Sequence, residues 1–376
     1  MRNSFIVSAS MLAAVSAMPA QADPVVGPAT MFATGSAVGA TGPDSVAVGG
    51  GSVWVEWGNG ADGQAGTGAS TIVQYNQANG SIQSQYSLAG LVDGLRYNPV
   101  TSTVWALQNN DGNSTLSIIN PATHQVSGPL SYGPPYVYGP SSGRGYDDVA
   151  FQNGQVFLSY TNPSVASDPV LQRLNQGNNP TGTLTTTNLL TAGQTGTLPD
   201  TDSLLATPSG GLVQTAEGDG PGSGSTGEFT LIRNPGTPSQ TLSNVVVTDR
   251  SGNNAYSLDD IVFPGTTAGT FYLTDASANA IYALDVSGLD PNAALASIAG
   301  FNQPGGTMPG DVTIDPEIGI VGPDGVATPL ITAANLPGPA FTIGAFVPAP
   351  VPEPGAGVLL ATGVLALAGL TRCRQG

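Results

Sequence analysis

The chain has 376 residues, with 25 Asp and Glu against eight Lys and Arg, a formal net charge of −17 and a single cysteine, Cys373. An acidic field of this strength repels nucleic acid and anionic lipid and favours cations or neutral polar ligands, so a nucleic-acid function is excluded. A disulfide framework is excluded too, and 52 Gly, 31 Pro and 9% charged residues suit many short strands joined by turns.

The first 22 residues read as a secretory signal peptide. Arg2 supplies the positive start, Phe5 to Val15 the apolar stretch and Ala20-Gln21-Ala22 the small-residue cleavage pattern, so the mature protein is expected to begin at Asp23. The apolar run is too short to span a bilayer and is followed by Pro19, which argues against a membrane helix.

From there an acidic segment recurs: Asp44-Ser45-Val46, Asp93-Gly94-Leu95, Asp147-Asp148-Val149, Asp202-Ser203-Leu204 and Asp259-Asp260-Ile261. A sixth, Gly310-Asp311-Val312, keeps only the second acid, and successive starts lie 49, 54, 55, 57 and 51 residues apart. A second strand follows each start, as in Val53-Trp54-Val55, Val104-Trp105-Ala106, Val156-Phe157-Leu158 and Phe271-Tyr272-Leu273. A polar loop then leads to a third strand (Thr71 to Tyr75, Thr115 to Ile119, Ala280 to Leu284), and a more polar fourth one (Ser81 to Leu88, Asn244 to Thr248) completes the unit.

Four strands per unit of about 50 residues, repeated six times, predict an all-β fold, a six-bladed β-propeller over residues 23–347. A sandwich or a parallel β-helix fits so long a repeat poorly. The last unit, Gly310 to Val347, is short of an outer strand, and Thr30 to Val38 is a spare strand ahead of the first. That strand is expected to pair with the final blade and close the ring. The repeats resemble the extracytoplasmic propellers related to NHL, YVTN and gluconolactonase-like proteins, with Ile119-Asn120-Pro121-Ala122-Thr123 similar to the strand-turn element of YVTN repeats. The resemblance is of pattern and implies a fold, since propellers host binding proteins, hydrolases and lyases alike.

The tail, residues 348–376, has Val351-Pro352-Glu353-Pro354, then sixteen uncharged residues from Gly355 to Leu370, then Arg372, Cys373 and Arg374. The run is near the lower limit for a transmembrane helix, and the two arginines behind it would stay cytoplasmic. A Pro-Glu-Pro triplet, an apolar helix and a basic end resemble the PEP-CTERM sorting signal. That resemblance implies processing by an exosortase, a membrane enzyme of exopolysaccharide-producing bacteria. The expected localisation is the cell envelope or a biofilm matrix, after transient anchoring in the inner membrane.

In a propeller the start of each innermost strand lies at one mouth of the axial channel. Asp44, Asp93, Asp147, Asp202 and Asp259 are therefore expected to ring that mouth, with Asp148, Asp260 and Asp311 close by. Two readings stand. Repetition in every blade favours a turn-capping role for each aspartate, whereas converging carboxylates can instead hold calcium, which takes six to eight oxygen ligands. Other chemistry is thinly provided: the one histidine, His124, falls in a blade turn expected to face solvent, and there is no lysine. Trp54, Trp57 and Trp105 can stack on sugars only if exposed, and their place in second strands predicts core packing.

The preferred reading is a non-catalytic exported propeller that binds a polysaccharide, a surface protein or a cation. The alternative is a calcium-dependent hydrolase of the lactonase or phosphatase kind with its site at the mouth.

Overall fold

The computed structural model describes residues 23–349 apart from 65, 111, 135–142, 196–199, 218–225, 303–311 and 337–340. The expected signal peptide, the Pro-Glu-Pro tail with Arg372 and Arg374, and Asp311 lie outside the described residues. Among the described residues no helix is long and apolar enough to cross a membrane.

Two short strands, β1 (Val25–Val26) and β2 (Thr30–Thr34), precede four blades built in chain order. Blade one is β3 (Pro43–Gly49), β4 (Ser52–Trp57), β5 (Ala69–Asn76) and β6 (Ile82–Ala89). Blade two is β7 (Val92–Asn98), β8 (Thr103–Gln108), β9 (Thr115–Asn120) and β10 (Gln125–Ser131). Blade three is β11 (Tyr146–Gln152), β12 (Gln155–Tyr160), β13 (Pro169–Leu174) and β14 (Thr186–Thr191). Blade four is β15 (Asp200–Ala206), β16 (Leu212–Glu217), β17 (Glu228–Arg233) and β18 (Thr241–Val246). All pairings within these blades are antiparallel, and the first strand of each packs against the first strands of its neighbours around the axis.

The last two blades depart from the expected order. The remaining strands are β19 (Ala255–Val262), β20 (Ala268–Asp275), β21 (Ala280–Ser287), β22 (Ala294–Asn302), β23 (Val312–Val321), β24 (Ala327–Thr332) and β25 (Thr342–Pro348). Blade five is β19-β22-β23-β24, and blade six is β25-β20-β21 with β1 and β2 along the outer edge of β21. Phe271 to Leu273 and Ala280 to Leu284, expected as the second and third strands of the fifth unit, therefore belong to blade six. Val312–Val321, expected to open the sixth unit, is the third strand of blade five, and Thr342–Pro348 is the inner strand of blade six. The chain leaves blade five after one strand, lays two in blade six, returns for three and finishes in blade six. Linear repeat spacing cannot reveal such an exchange, because both assignments use the same strands at the same intervals.

The ring closes as expected, with Thr30 to Thr34 paired antiparallel to Ala280 to Ala283. Phe32 on this clasp meets Tyr75 of blade one and Tyr272 of blade six edge-on, with ring centroids 5.7 Å and 4.9 Å away. Six clusters of buried side chains fill the six gaps between neighbouring blades. This explains the sequence pattern: second strands such as Ser52–Trp57 are buried on both faces and read as unbroken apolar runs, whereas the outer Gln125–Ser131 is exposed almost throughout.

Register also orients the ring. Pro43, Thr342 and Asp275 mark one face, while β25 runs away from it and ends at Pro348 beside Gly269, and Val25 pairs with Ser287 at that far end. Both ends of the described chain thus leave on the face opposite the aspartates.

Replacing Phe32 by Ala is expected to cost about 2 kcal/mol, since half-buried aromatic contacts are lost on both sides of the closure. Deleting 25–34 is expected to remove cooperative unfolding altogether, as followed by calorimetry.

Candidate functional site

The repeated acidic segments share a backbone feature that their sequences do not announce. Between Pro43 and Val46 the inner strand of blade one advances three residues while its partner advances two, from Trp57 to Val55. The same irregularity falls between Val92 and Leu95, Tyr146 and Val149, Thr201 and Leu204, and Leu258 and Ile261. Each is a bulge with one extra residue, and each encloses an acidic dipeptide. In a regular strand, neighbouring residues point to opposite faces. A bulge re-aims a side chain, and here both members of every dipeptide line the axial cavity. Blade six has its own shift at Gly344, with Thr342 where the other blades carry aspartate.

The cavity has a volume of about 400 Å³ and is lined by Asp44, Asp93, Asp147, Asp148, Asp202, Asp259 and Asp260, with Ser45, Gly94, Arg96 and Ser203. All five of the predicted mouth aspartates are therefore brought to one place. Oxygens of Asp93, Asp147 and Asp202 lie within 4.8 Å of one another. Asp44 lies against Asp93, and Asp259 against Asp202 and Thr342. Turn capping by carboxylates and amides is seen in the loops at Asp62, Asn76, Asn120, Asp249 and Asp290, which accept backbone N–H bonds of 2.8 to 3.0 Å.

The second members of the dipeptides form a lower tier around Arg96. Its guanidinium reaches Asp148 of blade three at 2.5 Å and the Ser203 hydroxyl of blade four at 3.4 Å. Ser203 in turn donates to Asp260 of blade five at 2.8 Å. Asp148 also accepts the backbone N–H of Leu204 and Val149 at 2.8 and 2.7 Å. Gly94 is required beside this tier, because a Cβ there would run into the backbone carbonyl of Asp147. Sequence reasoning missed Arg96 as a site residue, and also Glu56. A lone arginine in an inner strand of so acidic a chain, and a lone acid in the apolar run Val53-Trp54-Val55-Glu56-Trp57, were the available signals.

Burial and like charge set the electrostatics. Burial, followed by the charges of Asp93, Glu56 and Asp259, holds the Asp44 carboxyl well above the ordinary range. Protein closes round Asp44, yet its side chain is exposed to the cavity, so solvent tempers the effect. Glu56 is fully buried with neither oxygen at full hydrogen-bonding geometry, and burial pushes it well up despite some relief from the Ser70 hydroxyl. Burial raises Asp260 strongly, with Asp259 adding to it and Arg96 opposing. It also raises Asp148 and Asp259, against the pull of Arg96 and of their hydrogen bonds. For Arg96 burial works against the charge, but Asp148 and Asp260 outweigh it and the group is held more firmly protonated.

A second cavity of about 220 Å³ shares Asp44 and Asp259 with the mouth and is otherwise lined by Pro43, Thr274, Ala276, Ser297, Ile298, Ala299, Pro316, Phe341 and Thr342. Trp54, Trp57 and Trp105 are fully buried, so none is available to stack on a sugar. His124 sits exposed in its turn, where its ring lies 3.2 Å from the Tyr86 hydroxyl.

No protein-family model matches the chain, and no curated protein is significantly similar to it. Among solved structures, Kuenenia stuttgartiensis hydrazine synthase superposes with a TM-score of 0.43 at 10% identity over 77% of this chain and 66% of that one. A luciferin-regenerating enzyme gives 0.38 at 10% identity over 71% and 96%, and TolB from Acinetobacter baumannii 0.35 at 10% over 65% and 54%. The propeller assignment rests on the strand pairing itself.

Two outcomes follow from the charges. Arg96→Met should cost about 3 kcal/mol in a chemical denaturation curve, because it strands Asp148 and Asp260 without a counter-charge. In chelator, the melting temperature should fall as pH rises from about 4 toward neutrality. Acids whose folded values are raised, as for Asp44, Glu56 and Asp260, hold protons that the unfolded chain has already released over that window.

Proposed function

We propose that the protein is an exported, non-catalytic propeller of the cell envelope or extracellular matrix whose axial mouth binds calcium. The observation that carries the reading is the convergence of Asp93, Asp147 and Asp202, with ligand oxygens all within 4.8 Å of one another. Two oxygens on opposite sides of a calcium ion stand about 5 Å apart and neighbouring ones closer, so this spread suits one ion. Asp44 and Asp259, the other two aspartates expected at the mouth, flank the trio in the same cavity. Calcium would supply the positive charge that the mouth lacks, and an ion open to the cavity can take further oxygens from a polysaccharide or a surface protein. Export and sorting are supported by the signal-like start and by Val351-Pro352-Glu353-Pro354 with its apolar run and Arg372 and Arg374, which suit an exosortase substrate held briefly in the inner membrane.

Calcium at a hundredfold excess over Kd should stabilise the fold by about 2.7 kcal/mol, and magnesium by less, because it demands a tighter octahedral shell. The double variant Asp93→Asn with Asp147→Asn should lose this response while still folding. A melting scan with and without chelator reads both. An unchanged melting temperature on adding calcium would remove the proposal.

A further inference from the structure

The mouth is joined to a pocket of a different character. Asp44 and Asp259 form the shared wall, and beyond them the open side cavity of about 220 Å³ is lined by Pro43, Ala276, Ile298, Ala299, Pro316 and Phe341. The largest of its apolar side chains, Ile298 and Phe341, are 1% and 6% exposed and belong to the cores between blades, so the pocket is a rigid part of the ring. A hydrated metal ion has no use for such a compartment. An apolar group does, provided that it is attached to something the carboxyls attract.

The shared wall has that property. The charges that act on Asp44 are those of Asp93, Glu56 and Asp259, all negative, and at Asp259 the charge of Arg96 opposes burial and Asp93 without overcoming them. Behind this wall Glu56 is 0% exposed, with neither carboxylate oxygen in a full hydrogen bond. It lies on the face of β4 that Trp54 turns toward blade two, at the mouth end of the strand, where it acts on Asp44. A group bringing positive charge and N–H donors to this wall would offset the like charge of Asp44 and Asp259 in front of the buried Glu56, and an apolar body on that group would occupy the side cavity.

We propose that the mouth and its side cavity together form a binding site for an organic ammonium: a primary amine carried on a short apolar body. The head lies between Asp44 and Asp259, and the body extends past Ala276 and Ala299 onto Ile298 and Phe341. The proposal rests on the reading of the mouth as a cation-binding site, and adds that the site distinguishes organic cations by their apolar part.

The test is calorimetric titration of the full chain with hexylammonium, methylammonium, hexanol and calcium chloride at constant ionic strength. Hexylammonium is expected to bind at least about tenfold more tightly than methylammonium, since each buried methylene adds to the transfer term. Hexanol, which lacks the charge, should not bind measurably. Ala276→Leu, at an exposed turn position, fills the cavity without touching the Asp93, Asp147 and Asp202 trio, so it should abolish the hexyl advantage and leave calcium binding intact. Ala299→Leu serves as a second filling variant should the first not fold. Equal affinities for the two amines, tight binding of hexanol, or a hexyl advantage that survives filling would each overturn the proposal. Calcium binding without hexylammonium binding sinks the ammonium site alone. Hexylammonium binding without calcium binding sinks the calcium reading and leaves the ammonium site standing, and failure of both cations ends both.

Discussion

One arginine side chain holds the centre of this molecule together. Among the described residues, seven carboxyl groups line the axial cavity with Arg96 between them. It crosses from blade two to Asp148 of blade three and Ser203 of blade four, and its charge reaches Asp259 and Asp260 of blade five. Its bonds therefore tie neighbouring blades where their inner strands converge and their charges repel. Such a pair adds little net stability over an apolar core, but removing one partner leaves a buried charge uncompensated. Fold and site are thus coupled, since the contact that stabilises the ring also fixes the floor on which the upper aspartates stand.

The upper aspartates owe their position to backbone geometry. One extra residue in each inner strand turns an alternating pattern into a pair of side chains aimed inward, five times over with an acid in front. A bulge bends the strand, increases its local twist and re-aims a side chain, and the device recurs at the same place in five inner strands. The repetition of the segment therefore answers to the fold, while the choice of aspartate within it answers to the cavity.

This division also explains how much the sequence disclosed. The blade count, the four-stranded units, the closing strand at Thr30 and the gathering of Asp44, Asp93, Asp147, Asp202 and Asp259 were legible, because alternation, spacing and turn residues are local signals. The exchange of strands between blades five and six was not, since β20 can pair with either inner strand without changing its own pattern. Arg96 and Glu56 were passed over for a related reason. Their roles come from neighbours distant in sequence, as with Arg96 and Asp148, and only the closed ring brings those together.

Strands β1 and β25 carry the two ends of the described chain, lie on opposite edges of one blade and bring both ends to the same face of the disc. Any tether attached beyond Ala349 consequently grips the disc from underneath and leaves the carboxylate face looking outward. Tension along that tether reaches β25 first, and peels it from β20 beginning at Pro348, the end farthest from the cavity. The hydrogen bonds nearest the aspartates are then the last of that strand to part, so the mouth keeps its shape under a pull that has already begun to open the opposite rim.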